Sequence, residues 1–402
     1  MAPPATAWFS AFKLAWSLPI ERGVDSPIAH PLNPIPGPNF EPRALASPYL
    51  QWAKLRSPTK YDLATSAIMN YPLSSLPVSM ADLEINGPTI YGYEPLQERL
   101  ARKCAVDTEC IVATNGTSMA NHLVMAATLS AGDDVLIERP AYGPLLEVAS
   151  FVGANVVRFD RLHENDFQID PQEIERKLTP KTRLIVLSNL HNPSGAFTDK
   201  STLIQIREAA AKTGAWILVD EVYLDMTFDL KARSCFHLGG FIVTSSLTKT
   251  YGLNGLRCGW IVAPPALAER IWKLSDLFGN TPVHPGELLS VIALDHLNEI
   301  AERARRLLQI NRGALDHLLD ARSDLEVFRP QSGTVIFPRL KHGSVDGFCR
   351  MLRVNYDTSV VPGRFFEMPE HIRVGIGGGH EMTAKGLLQL SDALDEYKEI
   401  RS

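Results

Sequence analysis

A lysine closes an apolar run in the segment SSLTKTYGLNGLRCGW, residues 245–260, with small hydroxyl residues before it and glycines and Arg257 after it. A lysine held where it is partly desolvated has a lowered pKa, so the Lys249 amine is placed to act as a nucleophile able to form a Schiff base. A single lysine in a glycine-rich loop is ordinarily a surface group; the surrounding pattern sets this one apart. Upstream, DEVY (residues 220–223) directly follows the apolar run 216–219. A carboxylate buried there is costly unless a positive group or strong donor meets it. A protonated heterocycle nitrogen would satisfy Asp220, although an N-cap or structural ion pair is the commoner fate of such a residue. A third segment, SNLHNPSG (residues 188–195), carries Asn192. In a fourth, TNGTSMAN (residues 114–121), a strand ends in a glycine turn and a helix begins. The N–H groups of Gly116, Thr117 and Ser118, with the helix dipole, would cradle a phosphate. An ordinary N-capped helix carries the same local pattern.

In an open α/β sheet, functional residues gather at the C-terminal ends of strands. From about residue 110, short β-branched runs alternate with amphipathic stretches, which is the pattern of parallel α/β architecture. Runs at 111–113, 135–137, 156–159, 184–187, 216–219, 241–244 and 260–262 predict a seven-stranded central sheet. Apolar residues recurring at three and four predict helices between them, at 118–129 and 202–213 for example. After residue 285 the pattern turns helical, with 288–297 running into the charged stretch 299–320, followed by short strands and a closing helix. The expected organisation is an N-terminal arm over residues 1–48, Pro-rich from residue 30, a large α/β domain over 49–280, and a smaller α+β domain over 281–402. The arm, and the first part of the large domain, are expected to join the smaller one.

A chain of 402 residues is long enough for two or three domains. Its net charge of -5 gives no basic field for nucleic acid or an anionic membrane, so the expected partner is a small molecule. The five cysteines are odd in number and lack CxxC spacing, which disfavours a disulfide framework or zinc site and fits a reducing, cytoplasmic setting. No apolar run reaches the roughly 18 residues of a membrane span. The first twenty residues are apolar with one charge, Lys13, but lack the basic start or arginines of a targeting peptide; a docking arm or loose terminus is expected instead.

Read together, these segments resemble the class I/II aminotransferase family of fold type I pyridoxal-phosphate-dependent enzymes. Residues 246–259, SLTKTYGLNGLRCG, follow the family's pyridoxal-lysine signature, and NPSG, DEVY and this segment come in the family's order and spacing. The resemblance spans roughly residues 60–400; Cys258 departs from it, standing where the family usually has an aliphatic residue or alanine. It implies a mostly parallel seven-stranded sheet flanked by helices, a smaller α+β domain, the cofactor pyridoxal 5'-phosphate, and a homodimer whose sites draw on both chains. By resemblance, Lys249 is the Schiff-base lysine and proton shuttle, and Asp220 faces the ring nitrogen. Asn192 and Tyr223 bond the ring's 3'-oxygen. Gly116, Thr117, Ser118, Ser246 and Arg257 hold the phosphate, and Tyr142 in ERPAY stacks on the ring. VVPGRFF (residues 360–366) and HIRVGIG (residues 371–377) resemble small-domain landmarks, making Arg373 the clamp for a substrate α-carboxylate beside Asn192. Gly87 stands where many relatives place a tyrosine that reaches the partner's phosphate, leaving Tyr91 or Tyr93 as substitutes.

The implied reaction moves an amino group from an L-amino acid to a 2-oxo acid. The same scaffold also supports β-elimination, decarboxylation, racemisation or cyclisation. A pyridoxal-phosphate-binding regulator would carry a basic helix-turn-helix module that the first hundred residues lack. A nucleotide-binding protein would leave Lys249, Asp220 and Asn192 unexplained.

Overall fold

Strands buried on both faces of a sheet need continuous apolar runs, and the seven runs in the sequence are the strands of the central sheet. In the computed structural model, which describes residues 46–228, 230, 232–279 and 281–399, the chain passes through helix α1 (Pro48–Leu55) and a two-residue strand β1 (Tyr61–Asp62). The arm expected over residues 1–48 lies, but for its last residues, outside this range. The large sheet takes β2 (Ile111–Asn115), β3 (Asp134–Arg139), β4 (Asn155–Asp160), β5 (Thr182–Ser188), β6 (Trp216–Asp220), β7 (Phe241–Ser246) and β8 (Cys258–Val262) in the order β2-β8-β7-β6-β5-β3-β4. Strand β8 is antiparallel to β2 and β7, and the remaining neighbours are parallel.

All strands but β8 therefore end on one edge. The strands outrun their apolar cores because Asn115, Ser188, Asp220 and Ser246 still pair in the ladder, opposite Cys258, Asp220, Ser188 and Gly259. Ile217 and Leu218 of β6 are fully buried, and each such side chain stabilises the fold by about 2 kcal/mol. Helix α2 (Thr117–Thr128) follows β2 and packs across β2, β6, β7 and β8, while α3 (Gly143–Phe151) follows β3.

A second core forms where α4 (Leu297–Asp320) meets the closing helix α5 (His380–Glu399). Leu308, Leu315 and Leu319 of α4 and Leu387, Leu390 and Leu394 of α5, spaced for one helix face, fill it. Around it lie the short strands β9 (Leu325–Glu326), β10 (Val335–Ile336), β11 (Arg339–Leu340), β12 (Thr358–Ser359), β13 (Val361–Pro362) and β14 (Ile372–Gly375), with β14 between β10 and β13. Strand β1 pairs with β12, and Leu63 and Ile68 join the second core.

The segment after β1 is pinned from several sides. Leu63 O accepts from Gly375 N at 2.7 Å, Ser66 O from Thr334 Oγ1 at 2.7 Å, and Ile68 N donates to Lys249 O at 2.9 Å. It therefore couples the second core to the loop that carries Lys249. Among the described residues no helix is long and apolar enough to cross a membrane.

Candidate active site

Gly116 joins β2 to α2 at φ +83°, a left-handed conformation that suits glycine. The first N–H groups of α2 have no partners within the helix and make an anion site. The β2–β8 register sets Asn115 opposite Cys258 and brings Arg257 onto this turn, where its Nη2 donates to Asn115 O at 3.1 Å. A Cβ on residue 259 would lie 2.6 Å from Gly116 Cα, so glycine there is what allows the two backbones to meet. Thr117 Oγ1 is buried without a hydrogen-bond partner. Ser246 ends β7 on the same edge and its Oγ accepts from Thr248 N at 3.3 Å. Cys258 is a buried packing group whose thiol is pushed up to about 12 by burial.

Asp220 ends β6, is buried, and has no salt-bridge partner among the described residues. Its Oδ2 accepts from Asn121 Nδ2 at 2.9 Å and its Oδ1 from Val222 N at 3.1 Å, while Thr244 Oγ1 donates to Asn121 Oδ1 at 2.6 Å. Burial pushes its pKa up to about 6, against these hydrogen bonds and the attraction of Lys249. The folded carboxyl thus holds its proton to higher pH than the unfolded one, near 3.8, and rising pH costs the folded state stability through that window. Between pH 4.5 and 7 this amounts to about 2 kcal/mol. Thermal unfolding of the cofactor-free protein at the two pH values checks it: Asp220→Asn should lose less stability than wild type over that interval, and an equal loss would contradict the burial argument.

Lys249 follows β7 and is half-buried. Burial holds its amine below the usual lysine pKa, helped by Arg373 and Arg257 and opposed by Tyr49 and Asp220. Its Nζ donates to Ser66 Oγ at 3.3 Å, and Tyr223 OH donates to the same oxygen at 2.8 Å. Burial raises the Tyr223 pKa, so its hydroxyl stays protonated.

Arg373 lies on β14 and is 1% exposed. Its Nη1 donates to Asn192 Oδ1 at 3.0 Å, its Nη2 to Tyr49 OH at 2.8 Å and Ala64 O at 3.0 Å, and its Nε is buried without a partner. Tyr49 comes from α1 and stands edge-on to Tyr142, the residue before α3, with ring centroids 5.8 Å apart. Burial alone would raise the Tyr49 pKa, but the charges of Arg373 and Lys249 bring it below the usual value.

Tyr49, Ser66 and Asn121 were not among the residues expected from sequence. Asn121 had a readable signal, because it stands four residues after Thr117 on one helix face. Tyr49 and Ser66 had none: long-range pairing brings them in. At Gly87 a Cβ would meet His284 Cγ at 2.6 Å, so this backbone leaves no room for the tyrosine of many relatives. Tyr91 donates to Asp276 Oδ2 at 2.6 Å, and Tyr93 packs edge-on to His284 at 4.9 Å.

Residues 81–389, most of the chain, match the family model described as Aminotransferase class I and II. The chain belongs to this family. It is 28% identical to capreomycidine synthase of Streptomyces vinaceus, over 89% of this chain and 96% of that protein. Among solved structures it resembles a PLP-dependent aminotransferase from Streptococcus suis, with a TM-score of 0.80, 28% identity, and 84% of this chain and 94% of that one covered. It also resembles the PLP-dependent cyclase OrfR, with a TM-score of 0.80, 25% identity, and 91% and 100% covered. These likenesses bear out the fold type I architecture and make pyridoxal 5'-phosphate the cofactor of this enzyme. The residues present fit that group: an orphaned Thr117 hydroxyl and a glycine-lined turn beside Arg257, a buried carboxylate lacking a cation, and a lysine amine whose pKa burial lowers.

Proposed function

We propose that this enzyme is an aminotransferase that moves an amino group from an L-amino acid to a 2-oxo acid, with Lys249 as the lysine that holds the cofactor. The observation that carries this reading is geometric: Lys249 follows β7 on the edge where Asp220 ends β6 and the Gly116 turn meets Arg257, and its amine meets the oxygen of Ser66 that Tyr223 also bonds. When bound, pyridoxal phosphate supplies the electron sink that lets a proton leave the substrate's Cα. The protein's residues do the rest. The turn at Gly116, Thr117 and Ser118, with Ser246 and Arg257, would hold the phosphate through N–H groups, hydroxyls and a planar guanidinium. Tyr142 would lie against the ring, and Asn192 and Tyr223 would hydrogen-bond its oxygen. Asp220, uncomfortable as a buried anion, would gain a positive partner at the ring nitrogen and ionise.

The Nζ of Lys249, its pKa lowered by burial, would take the proton that leaves Cα and give it up at a different carbon, since returning it to Cα would only regenerate the substrate. Arg373, with its spare Nε, receives the substrate carboxylate as a planar fork while Asn192 fixes its orientation. Arg373→Ala should raise the amino-acid KM about 10–100-fold, the loss of a charge-assisted pair, with cofactor affinity little changed. Steady-state kinetics and a cofactor titration check this; normal amino-acid affinity in a variant that keeps its cofactor would sink the clamp assignment.

A second reading is cyclisation of an amino acid by the same residues. It is favoured by the likeness to capreomycidine synthase and OrfR, which extends over more of this chain than the likeness to the aminotransferase of Streptococcus suis. Product analysis separates the two: transamination consumes a 2-oxo acid and releases another, whereas cyclisation needs no oxo acid.

A further inference from the structure

We propose that Ser66 is a positioning residue for Lys249: its hydroxyl holds the lysine amine in both of its protonation states. The inference rests on the proposed role of Lys249. Three observations carry it. The Ser66 side chain is buried, and its oxygen is the point on which Lys249 Nζ at 3.3 Å and Tyr223 OH at 2.8 Å converge. The backbone around Ser66 cannot drift, because Thr334 Oγ1 bonds its carbonyl at 2.7 Å and Ile68 N bonds the carbonyl of Lys249 itself at 2.9 Å. Lys249 is thus tied through its side chain to Ser66 and through its backbone to Ile68, two residues further along the same segment.

A hydroxyl suits this place because it both donates and accepts. When the amine is neutral, Ser66 can turn its hydrogen to the nitrogen lone pair, and it needs nothing from Tyr223, whose single hydrogen goes to the ring oxygen once the cofactor is bound. When the amine has taken a proton from a substrate carbon, Ser66 accepts from the ammonium instead. Bond making and breaking stay balanced: the C–H bond breaks, an N–H bond forms, and Ser66 changes only its orientation. A carboxylate would serve the ammonium alone, and an alanine would serve neither state. The charged and titratable groups facing the amine are Tyr49 from α1, Arg373 from β14, Asp220 from β6 and Arg257 before β8. None of these accepts a hydrogen bond from Nζ, whereas Ser66 does.

The charge-assisted bond to the ammonium is the stronger of the two, so removing Ser66 should lower the Lys249 pKa. In the cofactor-free protein, the pH midpoint for reductive methylation of Lys249, read by peptide mass spectrometry, should move down by about half to one unit in Ser66→Ala. In the holoenzyme, a single turnover with an amino acid bearing deuterium at Cα should slow about tenfold. Its isotope effect should rise, while cofactor affinity and amino-acid KM stay within about twofold of wild type. Ser66→Thr, which keeps the hydroxyl, should restore both readouts. An unchanged midpoint, rate and isotope effect in Ser66→Ala would overturn the proposal, as would cofactor affinity falling in step with the rate. If wild type binds cofactor with no absorbance band that Lys249→Ala loses, the proposed function fails and Ser66 falls with it; an intact band beside an indifferent Ser66→Ala removes Ser66 alone.

Discussion

Lys249→Ala should lower kcat/KM by about 10⁴-fold or more, the scale seen when a covalent catalytic group is removed. The variant should fold as well as wild type, because the buried amine is a cost to the folded state: burial, Arg373 and Arg257 together disfavour its charge. Activity assays beside thermal unfolding test both halves. A small primary amine added to the medium should recover part of the rate in this variant, since it can stand in for the missing base. A variant that keeps more than about a tenth of wild-type activity would remove Lys249 from the chemistry.

Asp220→Asn should cost about 10²–10³-fold in kcat with a much smaller effect on amino-acid KM. Its two oxygens accept from Asn121 and Val222 at the end of β6, so an amide of the same shape removes the charge and keeps one of these two bonds. What is lost is the anion that keeps a ring nitrogen protonated, an effect felt as charge develops and hardly at all in substrate binding. Single-turnover rates with saturating amino acid measure this directly. A loss confined to KM would mean that Asp220 acts on substrate binding instead.

Much of the fold was legible because buried parallel strands leave an unmistakable trace. Runs such as Ile217, Leu218 and Val219 are apolar at every position, and the polar residue that ends each run, Asp220 here, marks the edge where a site is built. Lys249, Asp220, Asn192 and Arg257 could be read from short segments because each lies at or close to the end of a strand. The second core was harder to read. Its strands β9 to β13 are two residues long, too short to hold a pattern, and its contents come from far apart, with Leu63 and Ile68 packing beside α4 and α5.

The same distance hid Tyr49 and Ser66. Tyr49 matters through Arg373, 324 positions later, and Ser66 through Lys249, 183 positions later; neither sits in a local context that distinguishes it from any other tyrosine or serine. Gly87 illustrates the opposite case: its departure from the resemblance was plain in the sequence, but its cause, the His284 ring against the glycine, is visible only in three dimensions.

The most direct test of the central claim is the absorbance spectrum of the purified holoenzyme, with Lys249→Ala beside it, followed while a panel of amino acids is added without any oxo acid. The account predicts a near-visible band that depends on Lys249 and that one amino acid bleaches with release of its 2-oxo acid in equal amount. A Lys249-dependent band that is bleached with no oxo acid, while a cyclic amino acid, ammonia or carbon dioxide appears, would contradict the aminotransferase reading and leave the site standing. No Lys249-dependent band at all would contradict the site itself.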